Sequence, residues 1–178
     1  MFGDLYADVI RFIKSWQPQK KYGGELQYRD DLMEFLRDSL NRSDSPFMLS
    51  PAKRVSIRKE DGRGLCDIAV DRRIGIELKK DLSKKAQINR LVGQIVDYKR
   101  EYEDIVIVLV GETNKDALDG LKDAIDDLVG NQMGIGLSRQ PRIKIIDKGS
   151  KNKSKSSKEK KPKSPFDFGL GSGGNIWP

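Results

Sequence analysis

Residues 67–79, DIAVDRRIGIELK, hold two acids and a lysine whose types and spacing could do chemistry. The pattern predicts a strand, a tight turn and a returning strand. On the returning strand a period of two puts Gly75, Glu77 and Lys79 on one face and Ile74, Ile76 and Leu78 on the other. On the outgoing strand Asp67 shares a face with Leu65 and Ala69, and Cys66, Ile68 and Val70 face the opposite way. With residues 71–73 as the loop, Asp67 lies opposite Glu77 and Ile68 opposite Ile76, at about 4.5–5.5 Å between Cα atoms. One face is then apolar, and the other gathers Asp67, Glu77 and Lys79. Two carboxylates and an ammonium beside a glycine make poor core. A hard divalent cation held by carboxylate oxygens, with a lysine beside it, gives them a purpose; an ordinary salt-bridged hairpin is the bland alternative.

Composition limits the chemistry further. The 178 residues suffice for one domain with a sizeable core. There is no histidine, which excludes Ser-His-Asp triads, Cys-His pairs and His-ligated zinc. Cys66 is the single cysteine, so no disulfide framework or CxxC site is available, and a small buried hydrophobe is its expected role. The longest purely apolar run, residues 105–110, is far too short for a membrane span. No signal-peptide layout is present, and a soluble, cytoplasmic protein is expected. The formal charge of +7 is uneven: residues 148–178 hold eight lysines against Glu159 and Asp167. That leaves the body nearly neutral and the tail strongly basic, which suits either a polyanion such as nucleic acid or plain solubility.

The elements that must position these groups follow from periodicity. Residues 4–16 carry Leu5, Val9, Phe12, Ile13 and Trp16 at helical spacing. After a Pro- and Gly-containing linker, a helix is expected over 25–40 with Leu32, Phe35, Leu36 and Leu40 as its stripe. Glu25, seven residues before Leu32, lies on the buried side of that helix, as a dipole partner or as a ligand reaching toward a site. Residues 54–60 alternate as a strand, and 61–64 (DGRG) form a turn. A helix is expected over 84–102, with Ile88, Leu91, Val92, Ile95, Tyr98 and Tyr102 as its stripe and Gln87, Gln94 and Tyr98 along its margin. Residues 105–110, apolar throughout, predict a central parallel strand. Thr113 is the expected cap of a helix carrying Leu118, Leu121, Ile125 and Leu128 and ending at Gly130. Residues 142–147 form a last strand, and from Lys148 a Lys-, Ser-, Pro- and Gly-rich disordered tail is expected. The division is a domain over 1–148 and a tail over 149–178. The fold class is α/β, a mixed sheet flanked by helices on both faces.

An inward acid on a helix, an Asp and a Glu paired across a hairpin and a Lys two beyond the Glu carry more weight together than Glu-x-Lys alone. A helix with Gln94 and Tyr98 at i, i+4 and a buried strand follow. Over residues 25–111 the chain resembles the PD-(D/E)xK nuclease superfamily, whose restriction-endonuclease-like fold has an αβββαβ core. The segment Gln94-Ile95-Val96-Asp97-Tyr98 is similar to the QxxxY feature of its RecB-like branch, and Glu25 to the helix acid of archaeal Holliday-junction resolvases. Cys66, rather than Pro, precedes Asp67. The resemblance implies Asp67, Glu77, the Leu78 carbonyl and Glu25 as ligands of Mg²⁺ or Mn²⁺. It implies Lys79 as the group beside the attacking water, and Gln94 as the residue that orients the site or contacts nucleic acid.

The function so implied is metal-dependent hydrolysis of DNA phosphodiester bonds. Lys53, Arg54, Arg72, Lys80, Lys84, Lys85 and Arg90 flank the site in sequence and are candidate phosphate contacts, and Tyr98 a further nucleic-acid contact. Arg72 and Arg73 are equally read as a solvated hairpin tip. Two alternatives stand beside this reading: a junction- or flap-specific nuclease acting as a homodimer, and a non-catalytic nucleic-acid-binding module of the same fold.

Overall fold

The computed structural model describes residues 4–41, 54–59, 65–130 and 141–149. Lys53, the 61–64 turn and the tail from 150 on lie outside them. The elements are α1 (Leu5–Ser15), α2 (Glu25–Asn41), β1 (Ile57–Lys59), β2 (Ile68–Val70), β3 (Ile74–Lys80), α3 (Lys85–Tyr98), β4 (Asp104–Val110), α4 (Lys115–Gly130) and β5 (Arg142–Asp147). This is the expected order. Among the described residues no helix is long and apolar enough to cross a membrane.

The five strands form one open mixed sheet in the order β1-β2-β3-β4-β5. β1, β2 and β3 pair antiparallel, whereas β3, β4 and β5 run parallel through the crossovers α3 and α4. In β4 all seven residues are buried, because its alternating side chains enter two different cores. Val106, Val108 and Val110 join Ile74, Ile76 and Leu78 under Val9, Ile13, Leu32 and Leu36 of α1 and α2. Ile105, Ile107 and Leu109 join Leu91, Ile95, Leu121 and Ile125 of α3 and α4. Each such aliphatic side chain contributes about 1.5–3 kcal/mol by leaving water.

The hairpin has the expected connection, with Val70 opposite Ile74 and Ile68 opposite Ile76. Asp71 and Arg72 take left-handed φ values of 50° and 55°, the handedness that hairpin turns need to match strand twist. The ladder starts at Ile68, however, so Asp67 is a bend just outside β2 rather than a strand residue paired with Glu77. The bend also reverses the expected side for Cys66. Its thiol packs with Ala69, Tyr98 and Tyr102 in the α3–α4 core, away from Ile68 and Val70.

Three boundaries differ from expectation. β1 is confined to Ile57–Lys59 because its partner β2 offers only three residues to pair with. α3 stops at Tyr98 rather than near 102. The turn there seats Tyr102 on Gly75, where a Cβ would come within 2.8 Å of the ring. The cap of α4 is Asn114 and not Thr113: the Asn114 side-chain oxygen accepts from the N–H groups of Asp116 (2.8 Å) and Ala117 (3.2 Å).

Candidate active site

β2 is short and β3 is long, and that mismatch creates the site. Among the described residues no strand lies beside β3 on the β2 side beyond Ile76, leaving every second backbone N–H in need of an acceptor. Two carboxylates supply it. Asp67 Oδ2 accepts from the Leu78 N–H at 2.8 Å, and Glu25 Oε2 accepts from the Lys80 N–H at 2.9 Å. Glu25 opens α2, so the helix start is fastened to the end of β3 across 55 residues of sequence. The helix acid thus reaches the end of β3 through the Lys80 backbone.

Glu77 and Lys79 point to the opposite side from Leu78, as their alternation requires. Glu77 is only 2% exposed, and both of its oxygens are engaged. Oε1 accepts from Lys79 Nζ at 2.6 Å and Oε2 from the Tyr98 hydroxyl at 2.9 Å. The Tyr98 oxygen in turn accepts from Gln94 Nε2 at 3.2 Å. Lys79 Nζ also reaches Glu25 Oε1 at 3.4 Å, so one ammonium bridges the strand acid and the helix acid.

The charge balance follows from burial. Loss of water pushes the Asp67 carboxyl up, more than the Leu78 N–H and the Lys79 charge pull it down. Burial pushes Glu77 up as well, with Asp67 adding to it against the pull of Lys79. For Lys79 burial works against the charge, but Glu77, Glu25 and Asp67 together outweigh it and raise its pKa, so the ammonium stays on. Tyr98 is raised by burial and by the Glu77 charge, so its hydroxyl remains a donor. Lys79 thus serves two of the three carboxylates directly, and Asp67 is met by cationic charge only at a distance, from Lys79 and Arg29.

That imbalance is the chemistry a second, hard cation complements. Asp67 and Glu77 are two desolvated carboxylates, and Gln94 Oε1 is a buried carbonyl oxygen that meets no hydrogen-bond donor among the described residues. Among the described residues no three acids stand close enough to form a complete metal cage. Mg²⁺ ordinarily needs only one or two carboxylates, its remaining positions going to water and substrate phosphate. The donor set therefore fits such an ion. Glu25, committed to Lys79 and to the Lys80 backbone, holds the lysine.

The remaining expected contacts divide. Lys80 lies at the site's edge, its backbone on Glu25 and its ammonium on Asp81. Lys84 is exposed and directly precedes α3, one residue beyond Ser83. Lys85 instead lines a groove between α3 and α4, and Arg90 is exposed on α3. Arg72 sits at the hairpin tip, roughly 20 Å along β3 from Lys79, and the exposed Arg54 precedes β1. Tyr98, expected as a nucleic-acid contact, is itself buried and backs Glu77 from inside the protein.

Two basic residues were missed. Arg29 follows Glu25 by one helical turn, its side chain is 12% exposed, and its charge lowers the Asp67 pKa. The i, i+4 spacing from Glu25 was the available signal. Lys21 lies in the linker before α2, which reads as polar connection in sequence. The first turns of α2 fold that linker back: Asp31 accepts from the Gln19 N–H at 2.9 Å and Tyr28 from the Tyr22 N–H at 3.1 Å.

Compared with protein-family models, with curated proteins and with solved structures, the chain has no match.

Proposed function

We propose that this chain is a metal-dependent nuclease of the restriction-endonuclease-like fold that hydrolyses DNA phosphodiester bonds. The observation that carries the reading is the convergence of Glu25 from α2 on Glu77 and Lys79 of β3, with Lys79 Nζ 2.6 Å from Glu77 and 3.4 Å from Glu25, beside a desolvated Asp67. The run α2-β1-β2-β3-α3-β4, antiparallel through β3 and parallel from β3 to β4, supports it as the αβββαβ order of that superfamily.

Asp67 and Glu77 would hold the ion, with the Leu78 carbonyl between Glu77 and Lys79 in sequence as a further oxygen. A bound Mg²⁺ or Mn²⁺ supplies a water of lowered pKa and polarises the phosphoryl oxygen. Lys79 presents a fixed positive charge where negative charge develops on the phosphate. Glu25 keeps that ammonium aimed, and Tyr98, itself held by Gln94, fixes the Glu77 carboxylate from behind. Burial of Glu77 and Tyr98 excludes bulk water and strengthens every one of these interactions.

Incubation of the purified chain with linear duplex, branched and single-stranded DNA tests this directly. Cleavage is expected with Mg²⁺ or Mn²⁺ and none with EDTA. DNA binding without cleavage under any of these conditions would favour a non-catalytic binding module instead.

A further inference from the structure

The C-terminal ends of β3 and β4 open onto a cleft of about 350 Å³ lined by Lys21, Lys80, Asp81, Ser83 and Glu112. In open α/β sheets, ligands bind outside the carboxyl ends of the parallel strands. The cleft begins one residue past Lys79, and its wall is shared with the site through the Lys80 N–H held by Glu25. The backbone around it is specialised. Asp81 takes a left-handed φ of 54° and Gly111 one of 77°. Any side chain at Gly111 would collide with Asp81 Oδ1. Such conformations persist where surrounding structure enforces them.

The acid within the cleft is spent internally. Asp81 Oδ1 accepts from the Glu112 N–H at 2.9 Å, and Oδ2 takes the Lys80 ammonium. Asp81 therefore fixes Lys80 at the mouth rather than offering free charge. Lys21 approaches from the other side, brought there by the folded-back linker and close enough for its charge to act on Asp81. Glu112 remains as an exposed acid at the rim. The larger groove between α3 and α4, about 570 Å³, sets Asp116, Asp123 and Asp127 against Lys85 and would repel a polyanion.

We propose that the Lys21–Lys80–Ser83 cleft is a phosphate subsite, holding a phosphodiester next to the one that lies at Glu77 and Lys79. This rests on the nuclease reading for the identity of the strand. Lys21 supplies the charge, Lys80, held in place by Asp81, and the Ser83 hydroxyl donate hydrogen bonds, and Glu112 weakens the contact.

The test is equilibrium binding of the full chain to duplex DNA in EDTA, as a function of salt, with cleavage in Mg²⁺ measured separately. Lys21→Ala is expected to weaken binding and to lower the log–log salt slope by about 0.9, the value of one neutralised phosphate. Lys122→Ala, an exposed lysine of α4 paired with Asp119, should leave the slope unchanged. Ser83→Ala should weaken binding several-fold at constant slope, and Glu112→Gln should tighten it. Equal slopes for Lys21→Ala and Lys122→Ala overturn the subsite, even if the wild type cleaves DNA. A slope lowered in Lys21→Ala without wild-type cleavage upholds the subsite and overturns the nuclease reading.

Discussion

Lys79 stands between Glu77 and Glu25, and the hydrogen bond that fixes Glu77 on its other side comes from Tyr98. Removing the Tyr98 hydroxyl leaves the ring in the core but frees one carboxylate oxygen. Tyr98→Phe should cost about 1.5–3 kcal/mol of Glu77 positioning, the value of a hydrogen bond to a charged group. The expected outcome is a rate about 10- to 100-fold lower with DNA affinity unchanged, measured by single-turnover cleavage and binding in EDTA. Equal loss of affinity would return Tyr98 to the role of a nucleic-acid contact. Asp67 and Glu77 also set a pH dependence. Their folded pKa values are raised, so the folded state binds more protons than the unfolded one between the ordinary carboxyl range and the folded values. Stability from this source is present below the unfolded pKa and is lost as pH rises through the folded pKa. Melting of the metal-free wild type against an Asp67→Asn/Glu77→Gln variant should show the variant gaining on the wild type as pH rises. Mg²⁺ at 100 times its Kd should return about 2.7 kcal/mol to the wild type alone. A difference independent of pH would remove the account of the two desolvated carboxylates. At this scale the acid–lysine set was legible because strand alternation forces Glu77 and Lys79 to one side. The side taken by Cys66 was not, because nothing in the sequence announces that the ladder begins one residue after Asp67.

At the scale of elements, the site depends on β2 beginning only at Ile68 while β3 runs on past Ile76, and on α3 turning sharply after Tyr98. Both meet at Gly75. A Cβ there would sit 2.5 Å from Cys66 Sγ and 2.8 Å from the Tyr102 ring, neither of which has room to withdraw in the core. Gly75→Ala should destabilise by about 1–3 kcal/mol, the usual cost of overpacking, measured by denaturant unfolding. A change below about 0.5 kcal/mol would show that the Cys66–Tyr102 packing is loose. The element order was legible throughout, since each helix carries its own apolar period and β4 its unbroken apolar run. The boundaries were less so where tertiary contacts decide them. The end of α3 is governed by Tyr102 seating on Gly75, the length of β1 by its short partner, and the α4 cap by whichever of Thr113 and Asn114 the loop turns toward the helix. The place of Lys21 was illegible for the same reason: the folding-back of the 17–24 linker is written in contacts with Tyr28 and Asp31, not in local pattern.

For the whole molecule, the charge is divided between a nearly neutral body and a lysine-rich tail from Lys148 onward. The body directs its positive side chains unevenly, with Lys21, Lys79 and Lys80 gathered around the ends of β3 and β4 and aspartates along the α3–α4 groove. The tail should therefore supply affinity, and the body register and chemistry. Deleting residues 149–178 is expected to weaken DNA binding and flatten its salt dependence, by about 0.9 in slope for each phosphate the tail neutralises. Cleavage at saturating DNA should survive. An unchanged slope would show that the tail touches no phosphates.

Whether Asp67, Glu77 and Lys79 hydrolyse DNA with a divalent cation is decided by single-turnover cleavage by the wild type and Glu77→Gln at saturating Mg²⁺ and DNA. Glu77→Gln keeps the side-chain shape and the capacity to accept from Tyr98 but removes the charge. Metal-dependent cleavage by the wild type is expected, with a rate lower by at least about 10²-fold in a folded Glu77→Gln variant, the scale of losing one preorganised group. Cleavage by Glu77→Gln at the wild-type rate would contradict that chemistry.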